Sequence, residues 1–288
     1  MKLARYWTRA QGETTTSDGK TISVEARGWS DDSLDSARTR AQEIAQRVAE
    51  RIASKDESKQ RYPYGDRPLP EPVIREFNGT DGERCAIVTR NVYGALVLNA
   101  DRLMFVDVDR KGAPSNAGAA LGKMVSSLFP KPKLGPPPSN PIVEAMNQVA
   151  QRHDLSARVY QTAAGYRLLI TSAPFEATSS EAEALLTEFD CDPLYVRLCR
   201  SQECFRARLT PKPWRCAMLN PPVEFPFETP EDLERSRRWE ADYNAKTAAF
   251  ATCRYVTTVG TGSASADFDE LVQYHDQETK AATDLRLA

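Results

Sequence analysis

The sequence predicts an α+β fold with a mostly antiparallel sheet and packed helices. Short apolar runs alternate with a period of two and occur in pairs around turns, which is typical of hairpins. Helical patterns separate these pairs without the regular strand–helix alternation of a parallel sheet. The 288 residues, of which 41% are hydrophobic and 27% charged, are enough for a globular domain with its own core.

The first 55 residues predict a ββα unit. Strands are expected at residues 3–9 and 20–27, joined by the turn-rich segment GETTTSDG. A helix is expected to follow acidic residues and Ser33, and a polar linker at 56–72 would then lead to the main domain. The apolar residues at helical spacing predict the buried face of this helix: Leu34, Ala37, Ala41, Ile44, Val48 and Ile52.

Residues 73–260 predict the main α+β domain. The runs RCAIVTR, GALVLNA and RLMFVDVDR indicate strands, and ARVYQT and YRLLITS around Ala-Ala-Gly indicate a hairpin. The runs YVRLCR and CFRARLT predict two strands rich in arginine, and CRYVTTVG predicts a last strand. Residues 261–288 are expected to form a polar, frayed tail.

Three helices are predicted in this domain from their capping residues. Asn140 and Pro141 resemble the N-cap and first residue of one helix, and Thr229 followed by proline resembles the start of another. Ser180 with a glutamate three residues later predicts a capping box. The segment 110–141 is expected to be a flexible insertion. It contains basic residues and no acid: Arg110, Lys111, Lys123, Lys131 and Lys133.

The composition excludes several classes of protein. A net charge of -2 argues against a generally basic protein, so any contact with nucleic acid must come from a local patch. No apolar run approaches the roughly 18 residues that a membrane helix needs, so no membrane partner is expected. The N-terminus lacks an apolar signal region, which predicts a cytoplasmic protein. No GxGxxG or GxxxxGK[ST] motif occurs, and neither His153 nor His275 lies in a recognisable catalytic motif.

The cysteines predict reduced and mostly buried thiols rather than a disulfide framework or a zinc site. No CxxC pair occurs, and their spacing matches no zinc ribbon. They are Cys85, Cys191, Cys199, Cys204, Cys216 and Cys253.

Two acids at the end of an apolar strand are the first candidate site. Alternation along a strand places Asp107 and Asp109 on one face, where they repel each other unless a cation offsets their charge. Carboxylate oxygens suit Mg²⁺ or Mn²⁺, which can also bind substrate phosphates. The alternative is a salt bridge to the neighbouring Arg110 or Lys111.

A basic segment, YVRLCRSQECFRARLTPKPWR, could supply the positive charge that a phosphate ligand requires. Arg206 and Arg208 share one strand face, and the planar guanidinium group donates two parallel hydrogen bonds to a phosphate. The alternative is that these cations pair with acids of the chain on a solvated face. The cations are Arg197, Arg200, Arg206, Arg208, Lys212 and Arg215.

These motifs, over residues 84–216, resemble those of the archaeo-eukaryotic primase family, and of its primase-polymerase branch most closely. FVDVD matches the first motif of that family, an acidic pair. TAAGYRLLI takes the place of its second motif, a hairpin with a histidine that contacts nucleotide phosphates. This chain has no histidine there, so Arg167 or Tyr166 would have to serve. The third motif, an acid before a basic strand, is matched by Asp192, or by Asp190 as the alternative.

This resemblance implies a palm-like, RRM-like core and metal-dependent nucleotidyl transfer to nucleic acid. It implies that Asp107, Asp109 and Asp192 hold Mg²⁺ or Mn²⁺. The phosphates would be bound by four cations: Arg167, Arg206, Arg208 and Lys212. The whole chain also resembles a family of bacterial proteins with the signatures YGALVLN, YRLL and FRARLTPKPWRC, which implies no activity.

Two alternative functions remain open. The missing histidine favours a nucleotide- or nucleic-acid-binding protein that has the same core without turnover. An Asp-x-Asp pair also occurs in other metal-dependent enzymes that act on phosphorylated or nucleotide-sugar substrates. The aromatic residues in RYPYGDRP and KPWRC could stack on bases, although packing of a loop is the favoured interpretation.

Overall fold

The computed structural model describes residues 1–54, 67–109 and 140–288, and it confirms the α+β class. Within these ranges the strands form a two-stranded antiparallel sheet, two four-stranded antiparallel sheets and one short parallel pair. No helix in the same ranges is both long enough and apolar enough to span a membrane. Most of the predicted linker and insertion lies outside the described residues.

The strands are β1 (Tyr6–Thr15), β2 (Thr21–Ser30), β3 (Val73–Asn78), β4 (Arg84–Arg90), β5 (Leu96–Ala100), β6 (Phe105–Asp109), β7 (Ser156–Thr162), β8 (Gly165–Ile170), β9 (Phe205–Arg208), β10 (Phe250–Ala251), β11 (Cys253–Gly260) and β12 (Arg286–Leu287). The helices are α1 (Leu34–Ala53), α2 (Pro141–Arg152), α3 (Ser180–Glu188), α4 (Pro193–Gln202), α5 (Pro230–Thr247) and α6 (Asp269–Thr279).

The N-terminal ββα unit is confirmed, with longer strands than predicted, and Ser33 caps α1. The predicted buried face of α1 was partly wrong, because Leu34 and Ile52 are 45% and 52% exposed. A Cβ atom on Gly28 would lie 2.1 Å from the carbonyl oxygen of Ala37, so the helix approaches the hairpin too closely for large side chains. The residues that are buried are mostly alanine: Ala37, Ala41, Ile44, Ala45 and Ala49.

The two larger sheets carry the main core. One has the strand order β3-β4-β5-β9, and the other has the order β11-β7-β8-β6. The predicted hairpin is confirmed as β7 and β8, and the hydroxyl of Thr162 accepts a hydrogen bond from the N–H of Gly165 in the turn. The strand with the paired aspartates, β6, is therefore the edge strand beside β8, and the arginine-rich β9 is the edge strand beside β5.

The predicted strand YVRLCR was wrong, because this segment belongs to α4. The side chain of Asp192 accepts a hydrogen bond from the N–H of Leu194 and, with proline next to it, begins the helix. Helical spacing buries Tyr195 and Cys199, which leaves Arg200 on the surface, where it pairs with Glu183. The arginines of the longer basic segment are therefore divided between α4 and β9.

The predicted helix starts were correct for two of the other helices. Asn140 caps α2 and Thr229 caps α5, and each has a proline in the first turn. The cap of α3 is Ser179 instead of the predicted Ser180, and it accepts a hydrogen bond from the N–H of Ala182.

The predicted frayed tail was also wrong, because the C-terminal residues form α6 and β12. Leu271 and His275 lie one turn apart and are buried against the sheet, and β12 pairs in parallel with β10. The Nδ1 atom of His275 lies 3.1 Å from Asp276 Oδ1, and Arg158 donates a hydrogen bond of 2.6 Å to Asp276 Oδ2. These contacts tie the end of the chain to β7.

We expect His275 to make the protein less stable in acid. Burial lowers the pKa of His275 below its usual value, with the positive charges of Arg167 and Arg158 adding to this effect. In acid the unfolded chain therefore binds a proton at this histidine more readily than the folded chain does. The free energy of unfolding contributed by neutral His275 is present above about pH 6.5 and is lost as the pH falls below it. The loss is at most about 1.4 kcal/mol per pH unit.

Urea denaturation of the His275→Leu variant between pH 7.5 and pH 5 measures this effect. The variant should show a flatter dependence of unfolding free energy on pH than the wild type. Gln273→Leu, which changes an exposed residue of the same helix that does not titrate, is the control and should keep the wild-type dependence. Equal slopes in all three proteins would rule out His275 as the acid-sensitive group.

Candidate functional site

The paired aspartates lie where the sequence predicted them, at the end of β6. Across the ladder to β8, Asp107 is opposite Arg167 and Asp109 is opposite Gly165. A Cβ atom on Gly165 would lie 2.0 Å from the carbonyl oxygen of Val108, so this pairing requires glycine. The register of the two strands therefore determines which side chain meets each aspartate.

Asp107 is paired with Arg167, whose side chain is only 3% exposed. The two guanidinium nitrogens Nε and Nη2 donate to the two carboxylate oxygens over 2.9 and 3.4 Å. Burial by itself lowers the pKa of Arg167, but the Asp107 carboxylate outweighs burial and the pKa is raised. Among the described residues, the partner of Asp107 is thus a buried arginine of the neighbouring strand. The alternative salt bridge to Arg110 or Lys111 lies outside the described residues.

Arg167 also connects the two large sheets. Its Nη1 atom donates a hydrogen bond of 2.8 Å to the carbonyl oxygen of Arg208 at the end of β9. All three nitrogens of its guanidinium group therefore have partners within the protein. In this structure Arg167 orients Asp107 and β9 instead of extending into solvent as a phosphate ligand.

Asp192 is brought beside the paired aspartates by a backbone hydrogen bond. Its N–H donates to the carbonyl oxygen of Asp107 over 3.0 Å. Burial raises the pKa of Asp109, and the charge of Asp192 is the next largest cause, followed by that of Asp107. The structure thus places the three predicted acids in one region, where repulsion among them contributes to the raised pKa of Asp109.

The three acids do not form a complete metal site by themselves. No group of three or more His, Cys, Asp or Glu side chains in the described ranges is arranged to hold a metal ion. Asp109 and Asp192 form no ion pair with any residue that the structure describes. Within the described residues, two carboxylates without an ion-pair partner therefore lie beside one that is paired with Arg167.

Three cations that have no carboxylate partner among the described residues lie near the three acids. Within the described residues, Arg208, Lys212 and Arg215 form no salt bridge. Burial and the neighbouring charges of Arg167 and Arg215 lower the pKa of Arg208 to about 10. Burial also lowers the pKa of Lys212, with further contributions from Arg208 and Arg215. An anion would relieve this mutual repulsion.

These cations are close enough to the acids to influence the pKa of Asp109. Lys212 and Arg215 both act to lower the pKa of Asp109, although burial and the other carboxylates outweigh them. The short 3₁₀ helix Pro213–Cys216 carries Arg215 toward the site. Arg215 was noted in the basic segment but was not predicted as a site residue, and its spacing alone gave no signal of this position.

Arg206 lies on the same face of β9 as Arg208, as predicted, but it already has a partner. Its Nη2 atom donates to both oxygens of Glu71 over 2.8 and 2.9 Å, and each side chain is 6% exposed. Glu71 also accepts a hydrogen bond from the hydroxyl of Thr89 on β4. Arg206 therefore stabilises the sheet through a buried ion pair with a residue that the sequence placed in a linker.

A cavity of about 360 Å³ adjoins the site. Asp107, Arg206 and Arg208 line it, together with residues of segments 69–72 and 221–227. Arg27 from the N-terminal hairpin also lines it and pairs with Glu224 over 2.7 Å. The N-terminal unit, for which the sequence suggested no role, thus helps to form this cavity.

The six cysteines are free thiols, and all except Cys85 are buried. Burial raises the pKa of Cys204 and Cys253 to about 11, so these thiols stay protonated and unreactive at neutral pH. The prediction that most of the thiols are buried is confirmed.

No family model, curated protein or solved structure matches this chain. The chemistry of the site therefore rests on the side chains described above.

Proposed function

We propose that this protein is a metal-dependent nucleotidyltransferase of the primase-polymerase type. The observation that carries the proposal is the separation of unpaired charges in one site. Asp109 and Asp192 have no cationic partner among the described residues, and three nearby cations have no carboxylate partner. In a nucleotide bound to a divalent metal ion, the metal ion would complement the two carboxylates and the phosphates would complement the three cations.

The acids suit a metal ion that shares its ligands with the substrate. Mg²⁺ is commonly held by one or two carboxylates together with substrate phosphates, and it retains several waters. Asp109 and Asp192 supply two such carboxylates, while Asp107 is held by Arg167. Bound Mg²⁺ or Mn²⁺ would neutralise the phosphates and polarise the bond that is broken.

The cations would bind and orient the phosphates. A guanidinium group donates two parallel hydrogen bonds to a phosphate, and the ammonium group of lysine acts as a point charge. Arg208 is held at the end of β9 because its carbonyl oxygen accepts a hydrogen bond from Arg167. Fixed positive charge facing a phosphate stabilises the charge that develops during nucleotidyl transfer.

A second candidate function is binding of nucleotides or nucleic acid without turnover. Arg167 favours it, because this residue takes the place of the histidine in the primase-polymerase motif and neutralises one of the paired aspartates. The site would then recognise phosphates through the same cations, and a metal ion would not be required.

We expect Mn²⁺ and a nucleoside triphosphate together to raise the melting temperature more than the sum of their separate effects. A ligand that binds only the folded state stabilises it by about 2.7 kcal/mol at 100 times its Kd. Arg208→Gln should remove most of the nucleotide effect. Arg197→Gln, which changes an exposed arginine on α4, is the matched control and should behave like the wild type.

Incorporation of nucleotides on a primed and an unprimed template then separates the candidates. Metal-dependent incorporation supports the transferase, and binding without incorporation, insensitive to EDTA, selects the second candidate. If a nucleotide sugar stabilises the protein with Mn²⁺ and a triphosphate does not, a different metal-dependent enzyme is indicated. A wild-type response to nucleotide in Arg208→Gln would contradict both phosphate-binding proposals.

A further inference from the structure

Two aromatic side chains lie together on the surface beside the candidate site. The rings of Tyr93 and Trp214 have centroids 5.3 Å apart and meet edge to face at 86°. These side chains are 44% and 40% exposed, and the adjacent Val92 is 61% exposed. Single exposed apolar residues are ordinary on a protein surface, but a paired aromatic surface next to a polar site indicates a binding role.

Both aromatic residues are carried by well-anchored turns. The side chain of Asn91 accepts hydrogen bonds of 3.1 Å from the N–H groups of Tyr93 and Ala95. Gly94 has a φ of +85° and packs so tightly that a Cβ atom would lie 2.0 Å from the ring of Trp239. Trp214 belongs to the 3₁₀ helix Pro213–Cys216. A surface held in this way loses little conformational entropy when it binds.

The same surface is positively charged. The Nζ atom of Lys212 lies 5.4 Å from the centroid of the Trp214 ring, and Arg215 follows in the same short helix. Neither cation has a salt-bridge partner among the residues described. Tyr93 also lines the cavity that Asp107 and Arg208 line, which connects the aromatic pair with the candidate site.

We propose that Tyr93 and Trp214 form a stacking platform for the bases of a single-stranded nucleic acid whose phosphates follow Lys212 and Arg215. Unpaired cations beside exposed aromatic rings match the alternating phosphates and bases of one strand. A duplex keeps its base faces inside the stack, so it cannot use the rings. This inference rests on the proposed function only for the class of partner, because the platform lies beside the nucleotide site.

The test compares two fluorescently labelled 12-mers at one fixed salt concentration, one of thymidine nucleotides and one with the same backbone but abasic. We expect the wild type to bind the base-bearing strand about tenfold more tightly, in line with the usual contribution of one stacked base. Trp214→Leu should remove this difference and leave the affinity for the abasic strand unchanged. Tyr93→Ser is a second variant that should have the same effect.

The matched control is Tyr255→Leu, which changes a 38% exposed tyrosine on β11, at the opposite edge of the sheet from β6. It should keep the wild-type preference. Equal affinity of the wild type for both strands would overturn the proposal, and so would a wild-type preference in Trp214→Leu. If sedimentation instead shows a dimer that Trp214→Leu dissociates, the surface binds a second copy and the proposal fails.

The nucleotide response separates this inference from the proposed function. Stabilisation by Mn²⁺ and nucleotide should be the same in Trp214→Leu and the wild type. If nucleotide has no effect but the stacking preference is present, the proposed function fails and the platform stands. If nucleotide binds and the stacking preference is absent, only the platform fails.

Discussion

Replacing Asp109 with asparagine should lower metal-dependent nucleotide incorporation by at least about 100-fold, the scale on which a single charge-stabilising group contributes to a reaction. Asp109 is exposed and without an ion-pair partner among the described residues, so it is the acid most available to a metal ion. Primer extension with Mn²⁺ measures the effect. Asp242→Asn, which changes an exposed aspartate on α5, is the control and should keep wild-type activity.

The same substitution should make the protein more stable at neutral pH. Although Asp109 is exposed as a residue, its carboxyl group is partly desolvated at the end of β6. This partial burial, followed by the charges of Asp192 and Asp107, raises the pKa of Asp109, so its ionised form is disfavoured in the folded state. A raised carboxyl pKa destabilises the folded state above that pKa, and the effect disappears as the pH falls below the ordinary value of 3.8. Melting temperatures of Asp109→Asn and the wild type should therefore differ at pH 7 and converge in acid.

If the Asp109→Asn protein is more stable but keeps its activity, Asp109 is repelled by its neighbours without serving the reaction. If the Asp109→Asn protein loses both activity and stability, Asp109 has a structural role instead. Loss of activity with a gain of stability is the combination expected of a group placed for function.

Replacing Glu71 with alanine should lower the free energy of unfolding by about 3–5 kcal/mol, the usual effect of removing one partner of a buried ion pair. The substitution leaves the guanidinium group of Arg206 buried without its carboxylate, since both side chains are 6% exposed. Urea denaturation measures the loss. Glu183→Ala, which removes the exposed partner of Arg200, is the matched control and should cost less than about 1 kcal/mol.

The double variant Glu71→Leu with Arg206→Met tests the same ion pair by replacing both of its charged residues. Apolar residues of similar volume should recover most of the stability, because they remove both charges and their desolvation. If Glu71→Ala instead cost no more than Glu183→Ala, the ion pair would not hold Arg206. This arginine would then be free to bind phosphate as the sequence predicted.

Features that depend on neighbouring residues could be predicted from the sequence. The caps at Asn140 and Thr229 are hydrogen bonds to an N–H two or three residues away, and the hairpin of β7 and β8 closes through the Thr162 hydroxyl three residues from its partner. The shared face of Asp107 and Asp109 follows from the alternation of side chains along one strand. Local geometry is sufficient in each of these cases.

Short apolar segments were ambiguous where packing decides between helix and strand. YVRLCR has the composition of a strand, but the cap by Asp192 and the burial of Tyr195 and Cys199 one turn apart make it α4. The C-terminal residues are mostly polar, and packing against the sheet determines which face of α6 is buried. In both cases the helix is stabilised by packing against residues that are distant in the sequence.

The α+β class, most helix starts, and the acidic and basic residue types of the site follow from the sequence alone. The packing of the folded chain determines which of those charges already have a partner: Arg167 neutralises Asp107 from 60 residues away, and Glu71 pairs with Arg206 across 135 residues. A charge is available to a ligand only if folding brings no opposite charge to it, and that depends on strand register and sheet packing rather than on nearby residues.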